Sequence, residues 1–126
     1  MERKKLTGFL VDPYKRLAVP MTIDGDLDSL YAAMGVDCID IVERTIAGKL
    51  FTIVCDDEGL LKDKPIPSAT SKSNTVMLVG PLFVCNDGGS DLASLTPADV
   101  KFIKRNLGVA IVPGHGMSPV LRHVGY

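Results

Sequence analysis

Three stretches of the sequence carry side chains that could bind a ligand or take part in a reaction. The first is the acidic run Asp56-Asp57-Glu58. Its carboxylates suit a hard divalent cation such as Mg²⁺ or Ca²⁺. Adjacent residues on a strand point to opposite faces, however, and the D-x-D-x-D-G spacing of an EF-hand is absent. The run is therefore predicted to be a solvated turn with Gly59 at positive φ, and a cation site is the alternative.

The second stretch is the glycine-rich loop N-D-G-G-S-D at residues 86–91. Such loops can present backbone amides to an anion. This one has neither the Gly-Lys-Ser/Thr of a Walker loop nor the spacing of a dinucleotide fingerprint. We predict either a plain loop or a ligand-binding loop whose contacts are Asn86, Asp87, Gly88, Gly89 and Ser90.

The third stretch is P-G-H-G at residues 113–116, which places His115 on an accessible loop, and the basic pair Arg122-His123 follows it. Together with the acidic run, His115 could act as the base or a ligand of a metal-assisted hydrolase. A catalytic base must reach its proton, and the sequence fixes no partner for this imidazole. We therefore count His115 and Arg122 among the predicted ligand-binding residues and predict no catalytic residue.

The signatures of common enzyme classes are absent. The sequence contains no G-x-S-x-G, H-E-x-x-H or C-x-x-C motif, so it predicts no metal site and no cofactor. Cys38, Cys55 and Cys85 each lie in or beside an apolar run and lack the spacing of metal ligands. They are predicted to be small buried hydrophobic residues in a reducing cytosol.

Composition and charge predict one folded domain in the cytoplasm. The 126 residues are 46% apolar, and 14 basic against 15 acidic residues give a net charge of −1, which creates no general attraction to nucleic acid or to an anionic membrane. The longest apolar run, at residues 76–85, is about half the length that a membrane helix needs. A basic cluster at residues 3–5 and 15–16, beside Tyr14, is predicted to be a solvated face, so nucleic-acid binding is not expected.

The elements that must position these residues include two hairpins. The runs from Leu6 to Asp12 and from Arg16 to Ile23 predict the first, and Pro20 in its second strand predicts an edge position because proline lacks an amide donor. Residues 38–46 and 49–55 predict the second hairpin, which is rich in β-branched and aromatic residues.

Two short helices are predicted. The first follows a turn and N-cap offered by Asp24-Gly25-Asp26, presents an apolar face at i, i+3, i+4 and i+7 from Leu27 and stops at Gly35. The second begins at T-P-A-D, residues 96–99, where Thr96 can cap the helix and Asp99 can bond back to its start. Gly108 is predicted to end it.

The remaining stretches complete the predicted fold. Residues 63–75 predict a long connection of a kind that is usually functional or poorly ordered, and residues 76–85 predict a buried central strand kinked at Gly80-Pro81, or two short strands. Residues 109–112 predict a last strand before an irregular tail. We therefore predict an α+β fold, with an antiparallel or mixed sheet of about five to six strands and two short helices packed on one of its faces.

Three short motifs resemble an uncharacterised family of small domains found in bacteria, plasmids and phages. They are D-E-G-L at residues 57–60, G-F-L-V-D-P at 8–13 and G-P-L-F-V at 80–84. The resemblance covers residues 6–95, and the segment from residue 96 onward is predicted to be particular to this protein. The connector at residues 64–67 lacks an Asn-Arg pair expected there in the family. The resemblance implies an accessory protein of a mobile element and no established activity.

From these features we expect a non-enzymatic binding protein of a phage or mobile element. It would sequester or inhibit a host component, either a defence protein or a nucleotide-like signal. A homo-oligomer is expected, because pockets of small proteins commonly form between protomers. Metal-assisted hydrolysis by the acidic run and His115 is the alternative.

Overall fold

The computed structural model describes residues 4–58, 65–89 and 91–126, which form a mostly sheet structure. The first of these ranges contains β1 (Lys5–Asp12), β2 (Leu17–Asp24), α1 (Leu27–Met34), β3 (Ile39–Ile46) and β4 (Lys49–Asp56). The other two contain β5 (Pro67–Thr70), β6 (Val76–Val79), β7 (Leu82–Asp87), β8 (Leu92–Ala93), α2 (Pro97–Arg105), β9 (Leu107–Val112), β10 (Gly116–Leu121) and β11 (Val124–Gly125).

Both predicted hairpins are present. β1 pairs antiparallel with β2 along its whole length, from Lys5 opposite Asp24 to Asp12 opposite Leu17. β3 pairs in the same way with β4. β2 lies at the end of its sheet, so the edge position predicted from Pro20 is confirmed.

The strands form two sheets. The larger sheet has the order β11-β3-β4-β7-β1-β2, with β8 paired to the end of β7. The smaller sheet has the order β6-β5-β10-β9 and contains one parallel pair, β5 with β10. The prediction of antiparallel or mixed pairing is therefore confirmed.

Two hydrophobic cores lie on opposite faces of the larger sheet. One fills the space between this sheet, the smaller sheet and α2, and it includes Phe9, Phe51, Val84, Ile103 and Leu121. The other lies under α1 and joins Leu30 and Met34 of the helix to Leu6, Leu10, Val54, Phe83 and Cys85 of the sheet. The prediction that both helices share one face is wrong, because each helix covers a different core.

The predicted strand number is also wrong, since eleven strands occur in the described residues. Part of the stretch predicted as a long connection forms β5, and the tail predicted as irregular forms β10 and β11. Both stretches are rich in Ser, Pro or Gly. β5 and β10 form hairpins with their chain neighbours β6 and β9 and also pair with each other, whereas β11 pairs with the distant β3. Local propensity could not detect these strands, because cross-strand packing stabilises them.

The stretch 76–85 forms two strands in different sheets rather than one kinked central strand. β6 belongs to the smaller sheet and β7 to the larger one. Gly80 lies between them at φ 77°, a left-handed conformation that favours glycine, and its amide donates to Ile66 O at 2.9 Å. The G-P dipeptide of the family motif is therefore where the chain passes from one sheet to the other.

The two helices begin where the sequence predicts. Asp26 caps α1 by accepting from Ser29 N at 2.7 Å, and Gly35 ends this helix at φ 66°. Thr96 and Asp99 form a reciprocal capping box at the start of α2. α2 ends at Arg105 with Asn106 as its cap, so the end predicted at Gly108 is wrong, and Gly108 lies inside β9.

The three cysteines differ in exposure. Cys55 and Cys85 are buried as predicted, but Cys38 is exposed, because it lies in the turn between α1 and β3. Burial raises the pKa of the Cys55 thiol to about 11 and that of Cys85 to about 12. A hydrogen bond and the nearby charge of Glu58 raise the pKa of Cys38.

We therefore expect a thiol reagent such as Ellman's reagent to modify one cysteine of the folded protein, Cys38. The exposed thiol is accessible, whereas the two strand cysteines are sterically protected and their thiolates are disfavoured. The folded Cys38→Ser variant should be almost unreactive and should release two equivalents on unfolding. Rapid modification of this variant before unfolding would contradict the burial of Cys55 and Cys85.

Candidate functional site

A cleft of about 640 Å³ opens on the α1 side of the larger sheet. Five parts of the chain line it: the start of β1, the β2–α1 connection with the first turn of α1, the middle of β3, the middle of β4, and the loop between β7 and β8. α1 is eight residues long and packs most closely against β2, so it covers only part of this sheet face. The cleft occupies the part beside the helix.

The floor and one wall of the cleft are apolar. Leu6 and Leu30 are buried members of the core under α1, whereas Leu27 and Ile41 line the same cleft with more than half of their surfaces exposed. Exposed large apolar side chains beside a concavity are typical of a binding surface. The cleft could therefore hold the apolar part of a ligand.

The charged groups lining the cleft are mostly acidic. They are the carboxylates of Asp26, Glu43, Asp87 and Asp91 and the single ammonium of Lys4. A cleft lined by one sign of charge attracts ligands of the opposite sign. This cleft therefore suits a ligand that combines positive charge with an apolar part.

Local hydrogen bonds position two of these carboxylates. Asp26 Oδ1 accepts from Ser29 N at the start of α1, and Asp87 Oδ1 accepts from Gly89 N at 2.9 Å. The connection before α1 is joined to β1 by a bond from Gly25 N to Lys4 O at 2.7 Å. Both carboxylates therefore lie at the ends of regular elements: Asp26 is the N-cap of α1, and Asp87 is the last residue of β7.

Strand alternation separates the first two residues of the predicted ligand-binding loop. Asn86 and Asp87 are successive residues at the end of β7, so their side chains leave opposite faces of the sheet. Asp87 lines the cleft. Asn86 turns toward α2, where its Nδ2 donates to Ser94 O at 3.2 Å and to Asp99 Oδ2 at 3.0 Å. Asn86 therefore braces α2 and has no part in the cleft.

Asp99 is the common acceptor of a hydrogen-bond network at the start of α2. Its carboxylate is buried and accepts from Lys49 Nζ, from Thr96 N at 2.9 Å and from Asn86 Nδ2. Burial would raise the pKa of Asp99, but the hydrogen bonds from Lys49, Thr96 and Asn86 outweigh it and hold the pKa below its usual range. Lys49 also lies over the rings of Phe51 and Phe102.

The loop glycines form a tight turn. Gly88 N donates to Asp91 O at 2.8 Å and Gly89 N donates to Asp87 Oδ1, so neither amide points at an anion in this conformation. A Cβ on Gly88 would lie 2.9 Å from Asp91 O, and Gly89 has φ 92°. The turn therefore requires both glycines. Ser90, also predicted to contact a ligand, lies outside the described residues.

The structure places His115 at a junction of two turns. Its Nε2 lies 2.8 Å from Pro13 O, and its carbonyl accepts from an Arg16 Nη2 donor. These contacts join the β9–β10 turn to the β1–β2 turn. His115 does not line the acidic cleft.

Arg122 and His123 join other loops. Arg122 Nη2 donates to Asn74 Oδ1 at 3.0 Å, and His123 Nδ1 lies 3.0 Å from Asn106 Oδ1. Neither residue lines the acidic cleft. Of the predicted ligand-binding residues that the structure describes, the cleft therefore brings together Asp87 and Gly89.

The acidic run lies away from this cleft. Asp56 is buried, with Oδ1 accepting from Glu58 N at 3.0 Å, and it lines a smaller groove of about 220 Å³ beside β6 together with Asp57. Across residues 4–58, 65–89 and 91–126, no three His, Cys, Asp or Glu side chains are grouped to hold a metal ion. Gly59 lies outside the described residues. Metal-assisted hydrolysis by this run and His115 stays a prediction from the sequence.

Sequence reasoning did not identify four of the charged cleft residues, namely Lys4, Asp26, Glu43 and Asp91. The alternation I-D-I-V-E in β3 was a usable signal, because it leaves Ile41 and Glu43 on one face of the first strand of the second predicted hairpin. The convergence of β3 with the β7–β8 loop depends on strand order. No local pattern encodes that order.

In the described residues, no helix has the length and apolarity to cross a membrane.

Comparisons with known proteins identify a family. Neither the curated proteins nor the solved structures gave a match. The model of a domain of unknown function (DUF3846) matches residues 6–108, so it includes α2, which was predicted to be particular to this protein. The chain therefore belongs to the DUF3846 family, whose function is unknown, and the resemblance found in its motifs is confirmed.

Proposed function

We propose that this protein is a non-enzymatic binding protein whose acidic cleft holds a Lys- or Arg-rich segment of a partner protein. The observation that carries the proposal is the set of four carboxylates against one ammonium around an apolar floor. A basic segment with apolar residues between its charges would match both features. Electrostatic complementarity of this kind contributes to on-rate and specificity.

The same charges favour a protein over a nucleotide-like ligand as the partner. Phosphate groups would meet carboxylates at the rim, and like charges in an interface disfavour binding. We therefore place a host protein first among the expected partners. The resemblance to a family that occurs in phages and mobile elements leads us to propose that the bound host protein is sequestered or inhibited.

A nuclear magnetic resonance titration tests the proposed function. A short amphipathic peptide of alternating Lys and Leu is expected to shift the amide signals of Leu27, Glu43 and Asp87, and the binding should weaken with added salt because exposed charges are screened. ATP serves as the anionic probe and should leave these signals in place. Shifts at the cleft with ATP and none with the peptide would overturn the proposal.

Neutralising the rim should weaken peptide binding. We expect the double variant Asp87→Asn, Asp91→Asn to bind the peptide about 2- to 30-fold less tightly, since each exposed ion pair contributes roughly 0.2–1 kcal/mol. Asparagine at position 87 can still accept from Gly89 N, so the turn is preserved. Isothermal titration calorimetry measures the change.

The matched control is the double variant Asp37→Asn, Asp57→Asn. Both residues are exposed, and neither lines the acidic cleft, so the net charge changes equally while the cleft stays intact. The control should bind the peptide about as tightly as the wild type. Equal weakening by both double variants would show that only net charge matters and would refute a specific site.

A further inference from the structure

A second binding surface is suggested by the edge of the smaller sheet. β9 ends this sheet, and its six residues, L-G-V-A-I-V, include no charge and no proline. β9 pairs with β10 through six consecutive residues without a register shift. A regular edge strand presents a row of backbone donors and acceptors that another strand can use.

The other sheet edges in the described part of the chain are protected. β2 contains Pro20, β8 and β11 have two residues each, and β6 has four residues with register shifts in its pairing to β5. Proline, short length and irregular pairing are the features by which proteins discourage edge-to-edge association. β9 has none of these features.

Exposed apolar side chains accompany this edge. Val109 and Ile111 are 63% and 81% exposed and share one face of β9. Met117, directly opposite Ile111 on β10, is 65% exposed. Contact with another strand would remove part of this apolar surface from water.

We propose that β9 pairs antiparallel with β9 of a second copy of this chain, about a two-fold axis at Ala110. Val109 then lies opposite Ile111 of the partner subunit, which forms an apolar cross-strand pair twice. The two smaller sheets become one continuous sheet. A two-fold axis uses both β9 edges, so the assembly stops at a dimer.

Charge favours a second copy in this antiparallel arrangement. None of the six β9 residues is charged, so self-pairing places no like charges opposite each other, and the net charge of −1 gives little repulsion between chains. Antiparallel pairing also keeps the basic ends of the two α2 helices, with Lys104 and Arg105, at opposite ends of the joint, whereas parallel pairing would bring them together.

The size of the contact sets the expected affinity. Six residues of strand extend about 20 Å, so the joint is smaller than the roughly 800 Å² per partner of a standard interface. We therefore expect a reversible dimer with a dissociation constant of about 10 to 100 µM, which a micromolar concentration series can detect. The acidic cleft is lined by other residues, so this dimer does not depend on the proposed function.

Sedimentation velocity of the full chain over a micromolar concentration series tests the dimer. Ile111→Lys puts a charge on the edge of both copies and should weaken dimerisation at least about tenfold. The matched control is Val76→Lys on the β6 edge, where the side chain is 49% exposed and the dimer should persist. A monomer at every concentration, or a dimer lost only in Val76→Lys, overturns the proposal.

Cross-linking tests the register. In a Cys38→Ser background, which removes the exposed thiol, Ala110→Cys should form a covalent dimer under mild oxidation. Residues directly opposite in antiparallel strands have Cα atoms about 4.5–5.5 Å apart, within the range of a disulfide. Val112→Cys should not cross-link, since the two copies of residue 112 lie about 14 Å apart in this register. Failure of Ala110→Cys, or equal cross-linking by Val112→Cys, overturns the register about Ala110.

Discussion

Replacing Asp99 by alanine is expected to lower the free energy of unfolding by about 3 kcal/mol. The capping box at the start of α2 is lost, and N-terminal capping interactions contribute about 0.5–2 kcal/mol. Lys49 and Asn86 each lose a hydrogen bond to a charged group, of a kind that contributes about 1.5–3 kcal/mol when removed from a buried site. We expect the loss from the Lys49 hydrogen bond to be smaller than this range, because the Lys49 side chain is 49% exposed and water can solvate its ammonium group.

Chemical denaturation of Asp99→Ala, Lys49→Met and the double variant measures the coupling. Methionine keeps most of the apolar length that Lys49 packs over Phe51 and Phe102, so the cycle isolates the charge interaction. The double variant should lose less stability than the sum of the two single variants. Strict additivity would show that the contact between Lys49 and Asp99 contributes nothing to the fold.

The pH dependence of stability provides an independent test of the same network. The pKa of Asp99 is lowered in the folded protein, whereas an unfolded aspartate has a pKa of about 3.9. Its contribution is therefore fully present above about pH 4 and is lost as the pH falls below that value. The stability difference between wild type and Asp99→Asn should shrink on acidification, and a difference that is constant down to about pH 2 would contradict the network.

Replacing Gly8 by alanine is expected to cost about 3 kcal/mol as well, at the upper end of overpacking effects. A Cβ at this position would collide with the ring of Phe83 and would lie 2.7 Å from Val84 O. Phe83 is completely buried under α1, and Val84 O belongs to the sheet backbone, so neither atom can move away easily. Denaturant unfolding monitored by circular dichroism measures the loss.

Gly108→Ala is the matched control, because a Cβ there is also crowded but by a movable neighbour. The neighbour is the side chain of Arg122, whose reorientation would sacrifice only its bond to Asn74. We expect a loss below about 1 kcal/mol for this variant. Relief of the Gly8→Ala defect by Phe83→Leu would support the collision with the ring, whereas equal losses at both glycines would contradict it.

Gly8, Gly80 and Asp12 show what two of the three family-like motifs do in this structure. Gly8 opens G-F-L-V-D-P and allows β1 to approach Phe83, which itself belongs to G-P-L-F-V. Gly80 opens that second motif and turns the chain between the sheets. Asp12 closes the first motif by accepting from Tyr14 N and Lys15 N in the β1–β2 turn. These two motifs therefore serve packing and turn geometry.

The sequence by itself determined the local elements of this protein. Both N-terminal hairpins, the cap at Asp26, the stop at Gly35 and the capping box at Thr96 and Asp99 were predictable, because each depends on residues that are close in sequence. The edge position of β2 followed from Pro20 for the same reason: a missing amide donor is a property of one residue.

Only the tertiary structure decided the number of strands, the division into two sheets and the place of the cleft. The pairings of β5 with β10 and of β11 with β3 join residues distant in the chain, and a strand with little local propensity forms where such pairing is available. Asn86 and Asp87 were predicted to contact one ligand, yet the pleat of β7 points one at α2 and the other into the cleft. The acidic cleft arises because strand order brings Glu43 and Asp87 together, and strand order depends on long-range packing that no short stretch of sequence encodes.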